Sequence, residues 1–272
     1  MSKGRRFLAA CAQLTSRADV AENLATCGRL VADAAARGAQ LIVLPENFAF
    51  IGLGEEDKMA VAESLGSGPI QDALAGMAAA NKIWLVAGGF PERAEAGKVH
   101  NTCLVFGPDG ARVAEYRKIH LFDVQIPGAA EFRESRTVAP GATPVVVETA
   151  LAPVGLSICY DVRFPELYRE LARRGARVIV VPAAFTMHTG KDHWHALLRA
   201  RAIENQVYVL AAAQFGRANE KRQCFGHSLI VDPWGTVLAD AADREGVVLA
   251  EIDLDLQDRV RRELPVLDHR RL

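Results

Sequence analysis

Three side chains in this sequence are of types that could act together on an electrophilic carbon. They are Glu46 in LIVLPENF, Lys118 in EYRKIHLFD and Cys159 in GLSICYDVRFPE. A thiol becomes a strong nucleophile when its proton is removed. A carboxylate can take that proton, and a fixed cation can stabilise the oxyanion that forms on attack. Taken singly, each has a plainer reading. Cys159 fits a small buried hydrophobe in an apolar strand. Glu46 fits a solvated loop carboxylate or a charge at a helix N-terminus, and Lys118 fits a surface lysine on a basic strand edge.

Other patterns lead elsewhere or nowhere. GLSIC approaches the G-x-S-x-G elbow, but Cys159 stands where the second Gly is needed, so Ser157 lacks its motif. HTGKDHWH carries His188, His193 and His195, yet residues two apart do not share a helix face, and no second ligand cluster follows. The papain-type cysteine signature, the Rossmann glycine fingerprint and the phosphate-binding P-loop are all missing. No metal and no cofactor is expected.

The elements that must position these groups come from a repeated phrase. GAQLIVLPENF (Gly38 to Phe48) and GARVIVVPAAF (Gly175 to Phe185) share six identical positions. A helical segment precedes each copy, Asn23 to Arg37 and Phe164 to Arg174, and stops at a Gly. Before each helix lies another strand, FLAACAQL in one copy and PVGLSICY in the other. The unit is therefore strand–helix–strand, used twice. Four-residue apolar runs such as LIVL and VIVV suit strands covered on both faces. KIWLVAGGF, a hairpin around Pro108-Asp109-Gly110, a hairpin-like pair in TPVVVETALAPVGLSICYD, a helix in HWHALLRARAIENQ, a strand in QVYVLAAAQF and a hairpin at Pro233-Trp234-Gly235 follow. VVLAEIDL is the last strand before a basic tail. The reading is one α/β domain over residues 1–272 with a mixed pair of sheets and an internal pseudo-twofold. The shared residues are scaffold; what differs at the strand ends, Glu46 against Ala183, is free to be function, since ligands gather at the carboxyl ends of strands.

Bulk properties narrow the class. A formal net charge of −1 offers no basic surplus for a phosphate backbone, so no nucleic-acid partner is expected. No apolar run reaches the ~18 residues needed to span a bilayer, so no membrane partner is expected either. MSKGRRFLAACAQL has a basic start, but Gln13 and Thr15 interrupt its apolar stretch and no cleavage site follows, which favours a first buried strand over a signal peptide. Five cysteines, odd in number and without a CxxC pair, argue for reduced thiols and a cytoplasmic location.

Read with their neighbours, LPENF, YRKIHLFD and ICYDVRFPE occur in an order and at spacings that resemble the signature of the nitrilase (carbon–nitrogen hydrolase) superfamily. The resemblance runs from FLAACAQL to the tail LPVLDHRR. Within the superfamily the chain looks like the Nit branch, amidases of 2-oxo amides. HWHALLRARAIENQVYVLAAAQFGRANEKRQCFGHSLIVDPWGTV is similar to the deaminated glutathione amidase subgroup, and YRKIHLFDVQIPG also to the ω-amidase subgroup. The resemblance implies an α-β-β-α sandwich, a homodimer or higher homo-oligomer, and a small-molecule amide as substrate. It implies Glu46 as general base and acid, Lys118 as oxyanion stabiliser and Cys159 as a nucleophile that forms a thioester. By the match of FRES, Glu134 rather than Glu131 is the second glutamate, orienting the lysine or the substrate. The N–H of Tyr160 would be a second oxyanion donor.

For the substrate's carboxylate, Arg163 is one candidate, with an ion pair to Asp161 or Glu166 as its structural alternative. Phe185 and Thr186, at the end of the second repeat phrase, are expected to line the pocket. His193 and Trp194 are candidates for its rim. Arg217 and Lys221 either reach a larger substrate or sit in a solvated loop. Alternatives are ω-amidase action on 2-oxoglutaramate, hydrolysis of a nitrile, and a catalytically silent binding or scaffold protein.

Overall fold

The computed structural model describes residues 5–125 and 131–271; the first four residues of the basic N-terminal start, the IPGAA stretch and Leu272 lie outside the described residues. Alternation along the strands sets the layers. In β1 (Arg6–Gln13), Ala9 and Cys11 belong to one hydrophobic core while Ala10 and Ala12 belong to another. β2 (Leu41–Leu44) divides the same way, with Leu41 and Val43 on one side and Ile42 and Leu44 on the other. A strand buried on both faces has no position for a polar residue, which is why LIVL reads as an unbroken run.

The chain builds one half and then repeats it. β1, α1 (Val20–Ala36), β2, α2 (Pro69–Asn81), β3 (Trp84–Arg93), β4 (Val99–Phe106) and β5 (Arg112–Arg117) form the first half. A ribbon of β6 (Asp123–Gln125) and β7 (Glu131–Arg133) follows. The second half is β8 (Val146–Val147), β9 (Val154–Leu156), α3 (Pro165–Arg173), β10 (Val178–Val180), α4 (Met187–Asn205), β11 (Tyr208–Ala211), the ribbon β12 (Phe215–Arg217) and β13 (Gln223–Phe225), then β14 (Leu229–Val231) and β15 (Val237–Asp240). β16 (Gly246–Asp253) and α5 (Leu254–Glu263) close the chain.

The two sheets run β16-β1-β2-β3-β4-β5 and β8-β9-β10-β11-β14-β15. Each has one antiparallel outer strand, then three parallel strands, then two antiparallel ones. The strand–helix–strand repeat is thus the centre of a larger duplication. One core joins the facing sides of both sheets and extends through the second sheet to Leu171 of α3 and Trp194 of α4. The other core packs Leu30 and Val31 of α1 and Leu74 of α2 on the outer side of the first sheet. This is an α-β-β-α sandwich. Among the described residues no helix is long and apolar enough to cross a membrane.

Several boundaries differ from the sequence expectation. α1 starts at Val20, ahead of Asn23, because the Asp19 carboxylate accepts the Glu22 N–H at 3.0 Å and caps it. α4 starts at Met187, before HWHALL. α2 was not expected at all, and the "basic tail" is largely α5, whose start is capped by Asp253 accepting from Asp255 and Leu256. Both repeat helices do end at a left-handed glycine, Gly38 at φ 91° and Gly175 at φ 95°.

Candidate active site

Glu46 follows β2, Lys118 follows β5, Cys159 follows β9, and the Pro182–Ala184 segment follows β10. Strand ends from both sheets therefore meet at one place.

Cys159 opens a short helical turn, Cys159–Arg163, with φ at 48°, a conformation that costs an L-residue roughly 1–3 kcal/mol. Two contacts hold it there. Its N–H donates to Pro182 O at 2.8 Å, and the fully buried Asp161 accepts the Ile158 N–H at 2.9 Å. Asp161 also accepts Tyr116 Oη–H at 2.7 Å and the His120 N–H at 3.1 Å, with His120 Nδ1 at 2.7 Å. The His120 ring stacks on Phe164 at 3.7 Å. One carboxylate thus ties the segment that carries Lys118 to the turn that carries Cys159.

Glu46 is buried. Its Oε1 accepts Lys118 Nζ at 3.0 Å and Asn101 Nδ2 at 2.8 Å, and its Oε2 accepts the Ala184 N–H at 2.8 Å. The Cys159 thiol borders the same cleft as this carboxylate, near enough for the Glu46 charge to act on it. Space for Glu46 comes from the Gly88-Gly89 bulge in β3. A Cβ on Gly88 would lie 1.9 Å from Pro182 Cβ, and one on Gly89 would lie 2.8 Å from Glu46 Cγ.

Lys118 Nζ also lies 3.1 and 2.9 Å from the two carboxylate oxygens of Glu134. Glu134 is fixed in turn by the Phe122 N–H at 2.7 Å and Asn101 Nδ2 at 3.2 Å. It is Glu134 that reaches the lysine; the exposed Glu131 pairs with Arg133. Burial pulls the Lys118 pKa down, but Glu134 and then Glu46 outweigh it and hold the ammonium well above its ordinary range. Burial pushes the Glu134 carboxyl up, but Lys118 and then Lys58 overcome this and bring it down to about 2. For Cys159, burial and then the Glu46 charge push the thiol well up against the opposing pull of Lys118. The resting sulfur keeps its proton at neutral pH.

Glu46, Lys118, Glu134 and Cys159 border a cleft of about 550 Å³, partly open to solvent, that Tyr160, Phe185 and Thr186 also line. Arg163 does not line it. Its guanidinium stands behind two lining rings, 5.9 Å from the Tyr160 centroid and 5.2 Å from Phe185, with Nη1 3.3 Å from His193 Nδ1. Neither Asp161 nor Glu166 pairs with it, since Asp161 is committed to the turn. Trp194 is not at a rim: it is buried against Phe185 and donates to His227 O at 2.9 Å. His188, His193 and His195 do not converge. His195 instead meets Asp240 at 2.8 Å, whose carboxylate also contacts His227 at 2.9 Å, and none of these three lines the cleft.

Four residues at this site escaped sequence reasoning. Asn101 bridges both glutamates from the middle of β4, where a polar residue in HNTCLVF was the only clue. Glu55, Lys58 and Arg222 line the cleft from two loops far apart in the chain, and nothing local marks them.

Comparison with known proteins agrees with this architecture. Residues 8–262 match the carbon-nitrogen hydrolase family, and the chain belongs to it. It is 48% identical over 97% of its length to a deaminated glutathione amidase of Synechocystis sp., covering 98% of that protein. It is 45% identical over 97% of its length to the human deaminated glutathione amidase, covering 82% of it. Among solved structures, the nitrilase and fragile histidine triad fusion protein NitFhit of Caenorhabditis elegans superposes with a TM-score of 0.92 at 42% identity, over 100% of this chain and 66% of that one.

Proposed function

We propose that this chain is an amidase that hydrolyses deaminated glutathione, a 2-oxo acid amide, through a thioester on Cys159. The observation that carries the reading is the meeting of the Cys159 thiol, the Glu46 carboxylate and the Lys118 ammonium at one buried point. Because the resting thiol is protonated, the carboxylate removes the proton as sulfur attacks the amide carbonyl. The tetrahedral oxyanion is stabilised by Lys118 and by the Tyr160 N–H, which, near the start of its turn, has no acceptor within it. A preorganised donor of this kind contributes about 3 kcal/mol.

On collapse the C–N bond breaks and Glu46 returns its proton to the leaving amine, which departs. The acyl group stays on sulfur. Glu46 then takes a proton from water, the hydroxyl adds to the thioester, and the thiolate leaves and recovers that proton. One carboxylate thus serves both halves, and Glu134 keeps the lysine in place. Phe185 and Thr186 are proposed to lie against the acyl chain; Arg163, a candidate for the substrate's carboxylate in the sequence, stands outside the cleft and packs against the Tyr160 and Phe185 rings. All five cysteines are free and buried, in keeping with a single reduced, cytoplasmic domain; a homodimer is the proposed assembly.

The test is rapid quenching with deaminated glutathione followed by mass spectrometry of the peptide that holds Cys159. The expected result is an acyl adduct on that sulfur, and loss of on the order of 10³-fold or more in kcat for Cys159→Ser. Unchanged turnover in that variant, or an adduct on another residue, would overturn the proposal.

A further inference from the structure

His195, in HTGKDHWH, has no partner in its own stretch of sequence and no part in the active site, but the fold brings two groups to it. α4 carries His195, the link between β13 and β14 carries His227, and the end of β15 carries Asp240. His195 Nε2 lies 2.8 Å from Asp240 Oδ2. His227 Nδ1 lies 3.2 Å from the same oxygen and 2.9 Å from Oδ1. One donor atom from each residue falls within 4.8 Å of the other two. All three side chains are partly exposed, and none borders the cleft at Cys159.

Packing fixes these groups in advance. The Phe225 ring stacks on His227 with centroids 4.5 Å apart and meets His195 edge-on at 6.1 Å. His227 sits at φ 56°, and its carbonyl accepts the indole N–H of the buried Trp194, the residue before His195, at 2.9 Å. On the carboxylate, the Ala242 N–H takes Oδ1 at 2.8 Å, while Gln13 Nε2 anchors that loop by donating to Ala242 O at 2.6 Å and Arg244 O at 2.8 Å. Oδ2 is left between the two imidazoles. Asp243 Oδ1 stands 3.8 Å from Nε2, the other ring nitrogen of His227. An outer carboxylate in that position orients a metal-bound imidazole.

Two imidazole nitrogens and one carboxylate oxygen are a donor set for borderline-soft ions; calcium and magnesium prefer oxygen throughout. Bonds of about 2.0–2.1 Å at tetrahedral angles would set donor atoms about 3.3 Å apart. The separations to Oδ2, 2.8 and 3.2 Å, are close to that. We infer that His195, His227 and Asp240 form a binding site for a divalent transition-metal ion of the zinc class, with water completing its coordination. Each neutral imidazole then carries its proton on the far nitrogen, His195 on Nδ1 and His227 on Nε2, where Asp243 faces it. The ion clamps α4 to the β13–β14 link and to β15. Because Thr189 in the first turn of α4 lines the cleft, the clamp braces one cleft wall from behind and takes no part in the chemistry. The site stands independently of the amidase reading.

The test uses the full chain without a histidine tag, stripped with a chelator and dialysed. Zn2+ is titrated by calorimetry, and Co2+ by absorption as its spectroscopic stand-in. Wild type is expected to bind one saturable equivalent of Zn2+ per chain. Co2+ is expected to occupy the same site, with the d–d bands of a nitrogen and oxygen donor set and no thiolate charge-transfer band. His195→Gln and Asp240→Asn are each expected to weaken binding by at least the roughly 10- to 100-fold that loss of an outer-shell partner causes. Absence of saturable binding leaves only hydrogen bonds in the cluster and overturns the site. So does a thiolate band, which puts the ion on a cysteine, or unchanged affinity in either variant. If Asp240→Asn fails to fold, His195→Gln decides alone, since its side chain reaches solvent and its loss removes no buried group.

Discussion

Glu134 holds the Lys118 ammonium with both carboxylate oxygens, at 3.1 and 2.9 Å, while Glu46 holds it with one, at 3.0 Å. The asymmetry separates their duties. Glu134 is saturated by the lysine, Phe122 and Asn101, whereas Glu46 keeps its charge near the thiol. A flexible lysine side chain becomes a fixed charge only when such partners remove its rotamer freedom.

Glu134→Gln keeps the shape and removes the charge. With Lys118 less firmly held, kcat is expected to fall about 10- to 100-fold. The same substitution has a signature in stability. The folded pKa of Glu134 is about 2, below its unfolded value, so its charge stabilises the fold above the unfolded pKa of about 4.3 and that contribution fades as pH drops toward 2. Thermal melts should therefore show a large gap between wild type and variant at pH 7 that narrows steadily below pH 4; a gap independent of pH would contradict this.

Glu46→Gln separates base catalysis from thiol acidity. Burial and the Glu46 charge raise the Cys159 pKa and Lys118 lowers it, so removing the carboxylate leaves the lysine opposed by burial alone. The variant should lose amide turnover by on the order of 10³-fold. Its thiol should nevertheless be alkylated by iodoacetamide faster than wild type at pH 7 to 8, because more of it is thiolate. Slower alkylation in the variant would show that Glu46 does not hold the thiol's proton in the resting state.

Asp161 joins the lysine segment to the cysteine turn from a fully buried position. Asp161→Asn turns one acceptor into a donor facing donors, which costs about 2–4 kcal/mol. At a few degrees per kcal/mol, Tm should drop by roughly 5–10 °C. Tyr116→Phe removes one bond of the set and should cost about 1 kcal/mol. Equal melting of wild type and Asp161→Asn would argue against this tie.

Gly89 lies against Glu46, the proposed general base, where a Cβ would meet Asn101 Oδ1 at 2.7 Å and Glu46 Cγ at 2.8 Å, on a backbone at φ 71°. Gly89→Ala should lower kcat by about tenfold or more by displacing Glu46, on top of strain of roughly 1–3 kcal/mol. Gly97→Ala is the control: φ is 67° but nothing lies within 4 Å, so it carries the strain alone. Matching kcat values in the two variants would mean that Glu46 tolerates the shift.

Glu46, Lys118 and Cys159 were legible as a set because LPENF, YRKIHLFD and ICYDVRFPE resemble the carbon–nitrogen hydrolase signature, and the structure brings Glu46, Lys118 and Cys159 to one cleft. The repeat was readable because a strand covered on both faces must be apolar throughout, and a helix turning back into a sheet needs a residue free to take positive φ, as at Gly38 and Gly175. α2 was not, since PIQDALAGMAAAN is so rich in small residues that its buried stripe hardly differs from its exposed one. Asn101 looked like an ordinary strand residue, and its worth lies in two carboxylates that arrive from 55 and 33 positions away.

What the amino-acid order determined by itself is therefore local: strand and helix identity, their duplication, and which thiol, carboxylates and ammonium have the right company. The tertiary structure alone decided that Glu46 contacts a backbone N–H 138 residues later, that Arg163 stands behind the cleft wall, and that Lys58 and Arg222 share Glu55 across two loops. Electrostatics and packing act through space, and separation along the chain carries no record of which charges will meet once two sheets close on each other.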